Sequence, residues 1–123
     1  MQQQRNSNRI ERVNSLLQQL LSTILLDFFK DGKAIVTITK VECSKDLRWA
    51  RAGISIANAD DDAPIMAHLR KHLYEIQGEV NRTLEMKMIP RISFYLDTTA
   101  RHAARIQEIF HQIEEENNDS PKE

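Results

Sequence analysis

The sequence predicts a single α+β domain, a two-layer sandwich of helices on a small mixed sheet. Apolar residues recur at helical spacing in some segments and alternate in others, in the order α-β-β-α-β-α. The strand-helix-strand step implies a right-handed crossover and a parallel strand pair. The 123 residues contain no repeat and no linker, and this length is typical of one domain. We therefore expect one domain over residues 1–116 and a disordered acidic tail over residues 117–123.

The first predicted helix covers residues 8 to 29. Its apolar side chains recur every three or four residues and form one wide stripe for the core. Asn8 and Glu11 have the spacing of a capping box at the start of this helix. The glycine of Asp31-Gly32-Lys33 indicates where the helix ends. The stripe consists of Ile10, Val13, Leu16, Leu17, Leu20, Leu21, Ile24, Leu25 and Phe28.

A β-hairpin follows the first helix. The segment Ile35–Cys43 is rich in β-branched residues and predicts a strand. Ser44-Lys45-Asp46 predicts the turn, and the alternation within Leu47–Ala57 predicts the second strand. One face of this second strand carries Ala50, Ala52, Ile54 and Ile56, and the other carries Trp49, Arg51, Gly53 and Ser55.

A second long helix follows the acidic loop after the hairpin. Asp62 is its predicted N-cap, and Pro64 lies in the first turn, where the missing N–H costs nothing. Gly78 lies in the middle of this helix. An interior glycine costs about 1 kcal/mol relative to alanine, so we expect a bend there or a close approach by another group. Pro90 ends the segment, whose apolar positions are Ile65, Leu69, Leu73, Ile76, Val80 and Leu84.

A third strand and a last helix complete the predicted elements. Ile92, Phe94 and Leu96 alternate with polar or aromatic residues, as in a half-buried strand. Thr98 or Thr99 is the predicted N-cap of the last helix. Its inward positions are predicted to be Ala103, Ile106, Phe110 and Ile113.

Composition excludes several classes of protein. No apolar run approaches the length of a membrane span, and the polar first eight residues do not resemble a secretory signal. The one cysteine cannot form an intramolecular disulfide, so we expect a reducing, cytoplasmic setting. We expect no membrane association and a monomeric state.

The sequence offers little for catalysis. It has no glycine-rich phosphate loop and no nucleophile elbow. His68 and His72 are four residues apart on a helix, but a structural zinc site needs about four ligands, so surface histidines are the favoured interpretation. Cys43 at a strand end is better explained as a small core residue than as a nucleophile. We therefore expect no enzyme activity, no cofactor and no metal.

Charge patterning favours an anionic partner. Residues 108–123 hold six acidic residues and one lysine, a net charge of −5, whereas residues 1–107 have a net charge of +4. Arg9 and Arg12 near the start of the first helix oppose the helix dipole, and contact with an anion is one reason for such placement; ordinary surface arginines are the other. Trp49 could stack on a nucleotide base or simply cover the sheet.

The hairpin also carries a family resemblance. The segment from Val36 to Arg51, VTITKVECSKDLRWAR, resembles bacterial ribosome-binding factor A, in which a V-E-x-S-x-D-L-x-x-A-[KR] pattern occurs. Ile89-Pro90-Arg91-Ile92-Ser93-Phe94, the Asp31-Gly32-Lys33 break and the Asp97-Thr98-Thr99 step match in the same order. The resemblance covers residues 9 to 113.

This resemblance implies a KH-like fold of type II order, α-β-β-α(kinked)-β with a C-terminal helix. It also implies a non-enzymatic factor that binds the free small ribosomal subunit and assists late maturation of its rRNA near the 5′ end. The family has a kinked helix pair around Ala-x-Gly, and Ile76-Gln77-Gly78 keeps the glycine. The alternative is a KH-like protein-interaction adaptor that does not bind RNA. The candidate rRNA-binding residues are Arg9, Arg12, Lys45, Arg48, Arg51, Gly78, Arg82, Lys87 and Arg105.

Overall fold

The computed structural model describes the backbone of residues 2–119 and the side chains of residues 8–99, 101–103 and 105–115. The predicted element order and α+β class are confirmed, with one long predicted helix divided in two. The elements are α1 (Gln2–Phe28), β1 (Ile35–Cys43), β2 (Trp49–Ala57), α2 (Ala63–Lys71), α3 (Leu73–Thr83), β3 (Arg91–Leu96) and α4 (Thr99–Asp119).

The sheet has three strands in the order β1-β2-β3. Strand β1 pairs antiparallel with β2, from Ile35 opposite Ala57 to Cys43 opposite Ala50, with an irregularity between Ile38 and Val41. Strand β3 pairs parallel with β2, as the strand-helix-strand step predicts. Strand β2 is therefore hydrogen-bonded along both edges and forms the centre of the domain.

The core lies between the helices and one face of this sheet. The predicted inward residues of β2, from Ala50 to Ile56, are all buried, and α1 packs against β1. The stripe of α1 is narrower than predicted, because Leu16 is 46% exposed while Leu17 is fully buried. The helix also begins at Gln2, so the predicted capping box at Asn8 is wrong. The α1 residues in the core are Val13, Leu17, Leu21, Ile24 and Leu25.

The predicted bend at Gly78 is wrong, and the break lies at His72 instead. His72 has φ −101° and ψ 12°, outside the helical geometry of its neighbours. The turn there lets Leu69 of α2 and Ile76 of α3 both reach the core, where each is buried. The rings of His68 and His72 pack against Phe28, each with a centroid distance of 5.1 Å.

The last helix contacts the body of the domain differently from the prediction. Ile106, Phe110 and Ile113 are 40%, 61% and 46% exposed, and Ala103 is exposed as well, so the predicted inward face is wrong. The physical reason is that the apolar face of the sheet is already covered by α1, α2 and α3. The backbone of α4 includes residues 117–119 of the predicted tail; residues 120–123 lie outside the described residues, and the domain limits stay a prediction.

Arg101 anchors the start of α4. Its guanidinium forms an ion pair through two nitrogens with the carboxylate of Asp62, and one of these nitrogens donates a hydrogen bond of 2.8 Å to the carbonyl oxygen of Ile56. Asp62 lies at the N-cap position of α2, but its side chain makes no capping hydrogen bond. The predicted capping role of Asp62 is therefore wrong, because the carboxylate is engaged by Arg101.

Asp97 connects β1, β2 and the start of α4. Its carboxylate accepts hydrogen bonds from the Thr99 backbone N–H at 3.0 Å and from the Thr39 hydroxyl at 2.7 Å. Its own backbone N–H donates to the carbonyl oxygen of Ile54 at 2.8 Å. Hydrogen bonds from Thr99 and Thr39 lower the pKa of Asp97 to about 2.

Leu17→Ala should lower the free energy of unfolding by about 2–5 kcal/mol, because it removes a fully buried side chain. Leu16→Ala is the matched control, since Leu16 is its exposed neighbour on the same helix, and should cost less than about 1 kcal/mol. Urea denaturation of both variants measures the difference. Equal losses would contradict the orientation of α1.

Stability should depend on pH through Asp97. Because the folded pKa lies below the unfolded value of about 3.9, the unfolded chain binds this proton more tightly. The contribution of Asp97 is thus complete above about pH 5 and is lost progressively as the pH falls towards about 2. Asp97→Asn should reduce proton uptake on unfolding in this interval by up to one proton. Urea denaturation at several pH values tests this, and equal pH dependence in both proteins would contradict it.

Candidate nucleic-acid interface

Three of the predicted cationic residues meet in one surface depression. Arg9, Lys45 and Lys87 line a hollow of about 350 Å³, together with Ile10, Asp46, Leu47 and Met88. The three cations come from α1, from the β1–β2 turn and from the segment before β3. We call this hollow the hairpin basin. It carries three cations and one carboxylate, so it is suited to an anion such as a phosphate group.

The β1–β2 turn beside the basin is held by its own polar residues. The Ser44 hydroxyl donates to the Asp46 carboxylate at 2.6 Å and accepts a hydrogen bond from the Trp49 backbone N–H at 3.1 Å. The same carboxylate accepts from the Arg48 backbone N–H at 3.2 Å. The hydrogen bond from the Ser44 hydroxyl lowers the pKa of Asp46 most, and the bond from the Arg48 N–H lowers it further. The single carboxylate of the basin therefore shapes the turn that presents Lys45 and Arg48.

Arg48 and Arg51 lie outside the basin, on the hairpin. Arg48 is exposed beside Asp46, with 3.8 Å between its Nε and a carboxylate oxygen. The guanidinium of Arg51 lies over the ring of Tyr95, 4.6 Å from its centroid. Arg91 of β3 lies in the same way over Trp49, at 5.4 Å. Arg91 and Tyr95 are absent from the predicted site, because only the β2–β3 register brings them to these partners.

The remaining predicted residues lie elsewhere on the surface. Gly78 and Arg82 line a separate hollow on α3, which also contains Glu75 and Glu79. Arg105 lies on α4 in a third hollow, beside Arg101 and Glu108. Arg12 is exposed on α1, three residues beyond Arg9. The structure thus brings together Arg9, Lys45 and Lys87, and it separates Gly78, Arg82 and Arg105 from them.

Cys43 is part of the packing at the end of β1. It packs against the core, and its backbone N–H donates to the side-chain oxygen of Asn14 at 2.8 Å. Burial raises the pKa of the Cys43 thiol to about 11. The thiol is therefore protonated at neutral pH, as expected for a packing residue.

No helix in the described part of the chain is long and apolar enough to cross a bilayer.

Comparison with known proteins assigns the family. The family model of ribosome-binding factor A matches residues 9–110. The chain belongs to the ribosome-binding factor A family. The resemblance seen in the hairpin is thereby confirmed. Among its relatives, ribosome-binding factor A of Opitutus terrae is 33% identical over 117 residues, which are 94% of this chain and 96% of the relative. That of Desulforamulus reducens is 32% identical over 87% of this chain and 91% of the relative.

Solved structures of the family share the fold. The crystal structure of Thermus thermophilus ribosome-binding factor A superposes with a TM-score of 0.59, covering 71% of this chain and 93% of that one at 17% identity. A homology model of the Thermus thermophilus factor, fitted into a cryo-electron-microscopy map of its 30S complex, gives a TM-score of 0.51 at 17% identity. It covers 67% of this chain and 92% of that one. The expected KH-like fold is confirmed.

Gly78→Ala should raise the free energy of unfolding by up to about 1 kcal/mol, because alanine favours a helix interior. Helix α3 continues through Gly78, and an added Cβ would meet only Nη1 of the flexible Arg82 side chain, at 3.4 Å. Thermal denaturation checks the prediction. A loss of stability would show that the close approach of Arg82 requires glycine at this position.

Proposed function

We propose that this protein is a ribosome-assembly factor that binds the free small ribosomal subunit in the cytoplasm. It assists the late maturation of small-subunit rRNA near its 5′ end, and it does so by binding, without catalysing a reaction. Membership of the ribosome-binding factor A family over most of the chain supports this function. The 30S complex of the Thermus thermophilus relative supports the choice of the small subunit.

The hairpin basin is the observation that connects this function to the geometry. Arg9, Lys45 and Lys87 converge from three separate segments, so the folded domain concentrates positive charge that the extended chain would disperse. Phosphate contacts supply a large share of nucleic-acid affinity, because each releases condensed counterions. A convergent group of cations is therefore expected to hold the rRNA backbone and to orient the domain on it.

A protein-interaction adaptor is the less favoured function. The exposed apolar residues of α4, such as Phe110, could support protein contacts. The family is named for ribosome binding, however, and the basin carries three cations and one carboxylate. The two functions predict different responses to salt, because contacts to nucleic-acid phosphates release condensed counterions, whereas contacts through the apolar residues of α4 do not.

The triple variant Arg9→Gln, Lys45→Gln, Lys87→Gln should weaken binding to purified small subunits without unfolding the domain. The slope of log affinity against log salt should become shallower by about 2 units, at roughly 0.7–0.9 per lost phosphate contact. Co-sedimentation at several salt concentrations measures this, and circular dichroism checks the fold.

The control for this experiment removes the same charge elsewhere. Lys30→Gln, Lys33→Gln and Lys71→Gln change cations at the far end of α1 and at the end of α2. Arg9 and Phe28, the last residue of α1 and two positions before Lys30, are separated by about 30 Å at 1.5 Å per residue. The control should keep the wild-type slope. Equal effects of both triple variants would indicate that only net charge matters and would count against the basin.

A further inference from the structure

One face of the sheet remains open and carries the largest exposed aromatic residue of the hairpin. The helices cover the face formed by Ala50, Ala52, Ile54 and Ile56. On the opposite face, Trp49 is 54% exposed, and Arg51, Arg91 and Ser93 are exposed around it. An indole exposed to this extent leaves apolar surface in water, which contributes nothing to the core. The phosphate contacts assigned to the hairpin basin do not explain it.

Two arginine–aromatic pairs lie side by side on this open face. Arg91 of β3 lies opposite Trp49 of β2, and its guanidinium lies over the indole at 5.4 Å. Arg51 lies over the Tyr95 ring at 4.6 Å. Tyr95 fits there because Gly53 has no side chain: a Cβ on Gly53 would lie 2.9 Å from the Tyr95 hydroxyl oxygen. A single guanidinium covers only one face of the indole, so the stacking surface of Trp49 is supported on one side and largely accessible.

Hydrogen bonds from the β1–β2 turn and from β3 fix the backbone at Arg48 and Trp49. Ser44 binds both polar backbone groups of Trp49: its N–H donates to the Trp49 carbonyl at 2.8 Å, and its hydroxyl accepts from the Trp49 N–H. The Arg91 N–H donates to the Arg48 carbonyl at 2.8 Å and fixes the start of β3 beside it. The stacking surface is therefore formed before any ligand binds, which lowers the entropic cost of association.

The surroundings of Trp49 favour a nucleotide base over an apolar protein segment. Its neighbours on the open face are Arg51, Arg91 and Ser93, and an apolar partner would have to desolvate these charges. The nearby carboxylate of Glu42 forms an ion pair with Lys40 at 2.9 Å. Aromatic rings beside cations are the recurring means of binding single-stranded nucleic acid, since bases stack on the ring while cations hold the phosphates.

We propose that Trp49, backed by Arg91, is a binding site for an unpaired base of single-stranded rRNA. The base stacks on the indole, and Arg48 and Arg51 contact the flanking phosphates. This inference rests on the proposed function, since the ligand is the RNA of the ribosomal subunit. It adds a base-stacking site on the open sheet face to the phosphate contacts of the hairpin basin.

Trp49 reports directly on its own ligand because it is the one tryptophan of the chain. Titration of the full chain with an unlabelled single-stranded RNA of about eight nucleotides, within the site sizes usual for such proteins, should quench its fluorescence to saturation. A duplex of the same sequence should quench much less, because its bases are already stacked on one another. Absence of quenching by the single strand at concentrations where it binds would overturn the proposal.

Variants measured with a fluorescently labelled single strand complete the test. Trp49→Ala should weaken binding about 5- to 150-fold, the equivalent of the free energy of stacking one base. Trp49→Phe keeps an aromatic ring and should retain most of the affinity. If Trp49→Ala does not fold, the quenching titration of the wild-type chain decides the proposal. Tyr74→Ala is the matched control, since Tyr74 is an exposed aromatic residue on α3, and it should bind as the wild type does.

The outcomes separate this inference from the proposed function. If Trp49→Ala binds both the oligonucleotide and purified small subunits like the wild type, the stacking site is wrong and the assembly function stands. If Tyr74→Ala weakens binding and Trp49→Ala does not, bases bind at α3 and the stacking site is likewise wrong. Loss of subunit binding alone, with oligonucleotide affinity unchanged, would mean that Trp49 contacts a ribosomal protein. Failure of the wild-type chain to bind subunits would overturn the proposed function itself.

Discussion

The small residues of the central strand are the constraint on which the rest of the structure depends. Strand β2 is paired along both edges. Its side chains must therefore fit against the helices on one face of the sheet and against the Tyr95 ring on the other. Ala50 and Ala52 are buried, and their short side chains let the helices approach the sheet closely. At Gly53 a Cβ would lie 2.5 Å from the Thr39 hydroxyl oxygen. Larger residues at Ala50 or Ala52 would push the helices away from the sheet, and a larger residue at Gly53 would displace Thr39 and Tyr95.

The parallel pairing of β2 and β3 places cations at one end of the sheet and two engaged carboxylates at the other. Because β2 and β3 are parallel, Trp49 and Arg91 begin their strands side by side, next to the turn that contributes Lys45 to the hairpin basin. Cations distant in sequence are thereby concentrated at this end. At the other end, the carboxylates of Asp62 and Asp97 are engaged by Arg101, Thr39 and the Thr99 backbone. The hairpin end of the sheet therefore carries a concentration of accessible positive charge to which a polyanion is expected to bind.

Helix α4 begins at the end of the sheet opposite the hairpin turn. Arg101 attaches its first turns to Asp62 and to the Ile56 carbonyl. Glu108, Glu114 and Glu115 follow on the same helix and are exposed. The acidic segment thus follows a helix whose first turns are anchored at the end of the sheet away from the hairpin basin.

The sequence by itself determined the local structure and the family. The bounds of β1, the buried face of β2, the order of the elements along the chain and the cationic hairpin follow from periodicity and composition, which act over a few residues. Tertiary structure alone decided the break at His72, the exposure of Phe110, the engagement of Asp62 by Arg101, and the meeting of Arg9 with Lys45 and Lys87. The partners in these cases are far apart in the chain. Whether an amphipathic face is buried, or a cation finds a neighbour, depends on strand register and on which surfaces other elements already cover.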